Sequence, residues 1–280
     1  DTIVKKEHYK REKFEINIFP KANSINVKQG EVIALSGNSG SSQGAHLHFE
    51  IRDTKTEHPL DPLDFGFKVI DNISPILKEL KVFDLDNNKL SKTYKIKKIK
   101  DNYSIGDTIY SNEKTGLGIF TYDQSNDAYN KNGVNAIKLF LDSNLIYHFE
   151  LDKLDFSKNK YINAHIDYEE KVLSKRKFHK CYRLPHNPLK NYKTILNSGY
   201  INLDDNKVYH IKFEVFDSYK NKSELSFFLK KAKKDYKDTS EITNEIVRKF
   251  SWYKENNFSN NNFKISINKN YLYESIDFKY

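Results

Sequence analysis

The chain has 280 residues and a mass of 33.0 kDa, a length that suits about two domains. Hydrophobic residues make up 38%, charged residues 30% and mean hydropathy is −0.77, and no apolar run approaches the ~20 residues of a membrane-spanning helix. The 19 Phe and 19 Tyr can build cores, which excludes wholesale disorder, and the net charge of +9 comes with no recognised nucleic-acid-binding motif.

Residues 1–67 form the first zone. A short charged helix is expected from Ile3 to about Glu12, followed by a strand over Phe14–Phe19 that Pro20 stops. A turn at Gln29-Gly30 feeds an apolar strand within Val27–Leu35. A loop rich in glycine and serine runs from Ser36 to Gly44, and a strand is expected over Ala45–Arg52. Two prolines, Pro59 and Pro62, punctuate the end of the zone, where Asp61 and Asp64 read as turn residues. The sequence contains no methionine, so position 1 is not expected to be a translation start.

Residues 68–232 read as one β-rich domain. Alternating or apolar segments recur at 76–85, 93–99, 118–122, 136–141, 145–151, 161–166, 208–216 and 223–229, separated by Asn, Asp and Gly clusters. Many short strands with polar turns predict a sandwich of immunoglobulin-like type. Lysines flank isoleucines through Tyr94–Lys100, the pattern of an edge strand protected from aggregation. A second lysine-rich run, Leu229–Lys234, reads as an interdomain linker. Residues 233–280 then suggest a helical turn or two at Thr239–Phe250 and strands at Phe263–Ile267 and Tyr271–Phe278 that lack evident partners. Cys181 is the one cysteine, which excludes a disulfide within this chain and reads as a small buried hydrophobe.

One stretch carries chemistry. Side chains alternate along a strand, so His46, His48 and Glu50 would share one face and Leu47, Phe49 and Ile51 the other. Two imidazoles about 7 Å apart suit one metal ligand beside one acid–base group. The same spacing also fits an exposed strand face with no function. The preceding glycines permit close backbone approach, so the loop could wall a site or admit an extended peptide. His58 lies in a loop, His148, His165 and His210 in expected strands, and His179 and His186 flank Cys181 without the fourth ligand of a structural zinc site. Asp167 reads as a capping or turn residue.

Gly30-Glu31, Ser36-Gly37-Asn38-Ser39-Gly40, Ser41, Gly44 and His46-Leu47-His48-Phe49-Glu50 together resemble the lysostaphin-like (LytM-type, duplicated hybrid motif) zinc metallopeptidases. The resemblance covers roughly residues 1–66. It implies a mainly β chain: the C-terminal part of a lysostaphin-like β-sheet peptidase domain, then an immunoglobulin-like β-sandwich. It further implies His48 as a Zn²⁺ ligand, His46 as a catalytic histidine, and Asn38, Ser39, Gly40 and Gly44 as substrate-binding residues. The implied reaction is cleavage of peptide cross-links in peptidoglycan, by a protein exported to the periplasm, outer membrane or surface of a bacterium. The sandwich, through Gly118–Asp123, Tyr161–Tyr168 and Val215–Ser218, more loosely resembles domains that follow this peptidase in large envelope proteins.

The family also requires a His-x-x-x-Asp ligand pair and a second catalytic histidine before the Gly-rich loop. This chain has only His8 there, with Glu12 four residues on. Two further zinc ligands are therefore expected upstream of residue 1, with little zinc binding by residues 1–280 alone. The alternative is a non-catalytic scaffold of the same fold that binds cell wall or regulates a wall hydrolase. No nucleic acid is an expected partner, and the positive charge suits an anionic wall polymer.

Overall fold

The computed structural model describes residues 2–38, 44–67, 69–86, 91–100, 102–106, 108–233 and 247–279. It is mainly β, with 38% strand and 14% helix. Two compact units divide it, residues 1–49 and 50–280.

In the first unit, α1 (Thr2–Arg11) buries no residue. Its surface is held locally, by Glu7 with Arg11 at 2.8 Å and by His8 stacked on Phe14 at 5.6 Å. The expected turn forms: Gly30 takes φ +86° and Glu31 N–H donates to the Lys28 carbonyl at 3.0 Å. The expected strands at 14–19, 27–35 and 45–50 do not form; the described residues there are extended or turned without a ladder. A strand is stabilised by a hydrogen-bonded neighbour, and none is supplied by the described residues of this unit. The row expected to face a core is consequently exposed, Leu47 at 85%.

The second unit opens with a hairpin, β1 (Ile51–Arg52) and β2 (Pro59–Leu60). Its turn is closed by Asp53, whose carboxylate accepts from Thr56 N–H and Oγ1, each at 2.8 Å. Asp61 then caps a single 3₁₀ turn over Pro62–Phe65 by accepting from Leu63 N–H. Both Pro at the first turn and the left-handed Gly66 after the last are as helix-end chemistry favours.

Next come β3 (Ile76–Asp84), β4 (Ser91–Lys95), β5 (Lys97–Ile99), β6 (Asn102–Ser104), β7 (Thr108–Ser111), β8 (Lys114–Tyr122), β9 (Ala136–Leu141) and β10 (Asn144–Glu150). Two short helices, α2 (Ile162–His165) and α3 (Tyr168–Ser174), precede β11 (Phe178–Lys180), β12 (Tyr192–Ile195), β13 (Ile201–Asn202), β14 (Val208–Phe216) and β15 (Lys222–Lys231). Two sheets result. The larger runs β12-β10-β9-β14-β15-β6-β5, with β7 also parallel to β15. The smaller runs β11-β8-β3-β4, with β13 beside β8.

Alternation explains the core. Tyr209, Ile211, Phe213 and Val215 of β14 and Leu225, Phe227 and Leu229 of β15 are buried, while the intervening side chains face outward. They share one apolar cluster with Leu80, Val82, Leu117 and Ile119 of the smaller sheet. The lysine-rich run does form edges: β4 ends one sheet and β5 the other. Leu229–Lys231 belong to β15 and are not linker. The strand expected at 161–166 is instead helical, because Ala164 and His165 are both buried from one short turn.

At the C-terminal end β16 (Val247–Phe250) pairs with β19 (Ile276–Lys279), and β17 (Asn256–Ser259) with β18 (Lys264–Ile267). These strands therefore do have partners, and residues 247–250 are strand where helix was expected; residues 239–246 of that expectation lie outside the described residues. Phe250 stacks on Phe278 at 4.6 Å, and Phe258 meets the same ring edge-on at 5.3 Å.

Candidate functional site

The motif's histidines sit in extended chain rather than in a ladder strand. His46 Nδ1 donates to the Gly44 carbonyl at 2.9 Å. A carbonyl can only accept, so this bond places the ring proton on Nδ1 and leaves the lone pair of the neutral imidazole on Nε2. Gly44 thus acts on His46 directly, which its expected part in substrate binding does not include. His48 lies two residues on, as the motif dictates, and Asn38 is exposed. Ser39 and Gly40 lie outside the described residues. Glu50, the third residue of the expected face, accepts from Arg52 Nε at 2.6 Å.

Among the described residues, His46 and His48 are not joined by a third His, Cys, Asp or Glu close enough to share an ion. His8, the other histidine of this unit, is engaged with Phe14. The one trio of potential ligands among the described residues is Asp71, Asp123 and Asp217, none of them in the motif. Burial, with the neighbouring Asp217 and Asp71 charges, pushes the Asp123 carboxyl up to about 6.

Several of the remaining histidines are packed against neighbouring side chains. His165 Nε2 and His179 Nδ1 lie 3.0 Å apart, and His165 stacks on Phe149 with centroids at 3.9 Å. Burial drives His165 well below its usual range and His179 down to about 4, so both rings are neutral and one donates to the other. Cys181 is fully buried and its thiol donates to the His179 carbonyl at 3.6 Å, while His186 packs on Trp252 at 4.9 Å. His179, Cys181 and His186 therefore do not converge on a metal. His58 borders a cleft of about 570 Å³ with Leu154, Asp155, Lys158, Leu189 and Lys193, its Nε2 3.7 Å from Asp155.

Comparison with known proteins adds one finding. Residues 18–62 match the model of Peptidase family M23. No curated protein and no solved structure matches the chain. The match supports a peptidase-type function and spans the whole Gly30–Glu50 motif.

Proposed function

We propose that residues 18–62 supply part of a zinc metalloendopeptidase site of the lysostaphin type, acting on peptide cross-links of peptidoglycan in the bacterial envelope. The observation that carries this reading is the family match, which contains His46, His48, Asn38, Ser39, Gly40 and Gly44 in one stretch. Family M23 is generally zinc-dependent and acts on peptidoglycan. In this reading His48 is a metal ligand, His46 a catalytic histidine, and the Gly-rich loop a wall for extended peptide.

A catalytic zinc centre takes three protein ligands. Two exposed imidazoles two residues apart do not make one, and no third ligand joins them among the described residues, so this reading needs ligands beyond His46 and His48. What this chain itself contributes is clearer at His46. Its Nδ1–H is held by Gly44, so Nε2 is the atom that accepts a proton from a nucleophile or shares one with a developing oxyanion. The loop's glycines leave backbone N–H and C=O groups unshielded by side chains, which suits strand-like pairing with a peptide.

The test is release of soluble muropeptides from purified sacculi by the natural full-length protein, compared with His46→Ala and His48→Ala. Hydrolysis by the natural protein that both substitutions remove, with sacculus binding retained, supports the peptidase. Tight sacculus binding with no hydrolysis at any zinc concentration would instead establish the non-catalytic scaffold.

A further inference from the structure

The Asp71–Asp123–Asp217 trio lies where three chain segments meet at one end of the two-sheet unit. Asp71 is in the segment leading into β3, Asp123 directly follows β8, and Asp217 directly follows β14. Asp71 and Asp123 are fixed through the backbone or one oxygen, and Asp217 through both of its carboxylate oxygens. Asp71 Oδ1 accepts from Ile73 N–H at 3.1 Å, and its carbonyl accepts from Asn221 Nδ2 at 2.9 Å. Asp123 exchanges backbone hydrogen bonds with Asn132 at 3.0 and 2.8 Å. Asp217 accepts from Asn221 N–H at 2.8 Å and from its Nδ2 at 2.7 Å. One oxygen from each carboxylate lies within 4.8 Å of the other two.

A further buried, unpartnered oxygen belongs to Asn135. The β9–β14 register pairs Ala136 with Phe216, and Asn135 N–H donates to the Phe216 carbonyl at 2.8 Å. The bond brings Asn135 beside the end of β14, one residue from Asp217. The four residues are 8% (Asp71), 5% (Asp123), 1% (Asp217) and 8% (Asn135) exposed. Asp71 Oδ2, Asp123 Oδ1 and Asn135 Oδ1 have no hydrogen-bond partner among the described residues. An amide oxygen so deeply buried and unpartnered is as unusual as the carboxylates beside it, since buried polar atoms almost always find partners.

Buried carboxylates are ordinarily paired with a base or a metal, and no lysine or arginine pairs with these three among the described residues. We propose that Asp71, Asp123, Asp217 and the Asn135 side-chain oxygen form a calcium-binding site. The donor set is all oxygen, which suits a hard cation and excludes the nitrogen- and sulfur-seeking metals. Ca²⁺–oxygen distances of about 2.3–2.6 Å let opposed ligands stand roughly 5 Å apart, whereas Mg²⁺ at about 2.1 Å draws them in closer. The ion would tie the segment before β3 to the β8 and β14 ends. Asp61, the cap of the 3₁₀ turn, reaches the same place by accepting from Ser218 Oγ at 2.7 Å.

The experiment uses the 280-residue chain stripped with chelator, followed by thermal unfolding and titration calorimetry with CaCl₂, MgCl₂ or ZnCl₂. One calcium per chain is expected. For a Kd on the order of 10⁻⁴ M, about 10 mM calcium favours the folded state roughly 100-fold and raises the midpoint. Asp123→Asn removes a repelling charge, so without calcium its midpoint should equal or exceed that of the parent, while the calcium-induced rise disappears. Asn135→Ala should weaken calcium binding and leave the calcium-free midpoint little changed, a readout that survives if Asp123→Asn folds poorly. No calcium-dependent shift in the parent overturns the site, as does an equal shift in both variants.

Discussion

Replacing Asp167 with alanine removes a helix cap and the closer of two carboxylates that hold a buried lysine. Lys81, on β3, places Nζ 2.6 Å from Asp167 Oδ2 and 3.0 Å from Glu170 Oε2. Burial pulls its ammonium toward neutrality, and the two carboxylates more than offset that, leaving its pKa raised. Asp167 Oδ1 also accepts from Glu170 N–H at the first turn of α3. Losing such a cap costs about 1 kcal/mol. Breaking a buried pair costs about 3–5 kcal/mol when a charge is stranded, but Glu170 still faces Lys81, so about 2 kcal/mol is the apt figure here. The expected loss for Asp167→Ala is therefore about 3 kcal/mol. Urea unfolding followed by circular dichroism should show it as a midpoint shift of about 1 M if m is near 3 kcal/mol/M. Asp167→Asn keeps a capping side chain and should lose only about 2 kcal/mol. In a Lys81→Met background, Asp167→Ala should cost little beyond the cap. A loss below about 1 kcal/mol, or the same loss with and without Lys81, refutes the reasoning.

Acid should weaken the same corner. The Glu170 carboxyl is drawn down to about 2 by Ser174, Lys81 and Arg176. A carboxyl whose pKa is lower folded than unfolded contributes stability above its unfolded value near 4.5, and that stability fades as pH falls toward 2. Urea midpoints taken from pH 6 to pH 2 should fall less steeply for Glu170→Gln than for the parent, and equal slopes would count against the network. Gly199 adopts φ +78°, and a Cβ there would stand 2.5 Å from the Cys181 carbonyl oxygen and 2.7 Å from Tyr182 Cα. Those are backbone atoms that cannot step aside, so Gly199→Ala should cost at least about 2 kcal/mol. Gly133→Ala, with nothing within 4 Å, is the matched control and should be near neutral in the same urea assay.

The second unit was legible where side-chain pattern and local chemistry coincide. Alternation located β14 and β15, the lysine-flanked isoleucines marked an edge strand that the structure divides between the edges of two sheets, and Asp167 announced its cap. The first unit was misread because alternation reports which face a strand would bury, not whether a neighbour exists to bury it. Leu47 and Phe49 follow the pattern and remain exposed. Tyr161–Ile166 is too short for periodicity to separate strand from helix, and packing of Ala164 and His165 decides it. The partner of β19 lies in a segment whose charged residues, Glu241, Glu245, Arg248 and Lys249, recur at helix-like spacing. The Gly30–Glu50 motif stands out in the sequence because its residues are contiguous, and the family match covers it. The aspartate trio was not, because Asp71, Asp123 and Asp217 are far apart in sequence and only the sheet register brings them together.

The central claim is that His46 and His48 have different parts in one peptidase site. The most direct measurement is zinc content, by mass spectrometry of the metal, together with muropeptide release, on the natural full-length protein and its two histidine variants. The account predicts about one zinc per protein in the parent and in His46→Ala, much less in His48→Ala, and no hydrolysis by either variant. Unchanged zinc in His48→Ala, or hydrolysis that persists in His46→Ala, contradicts it.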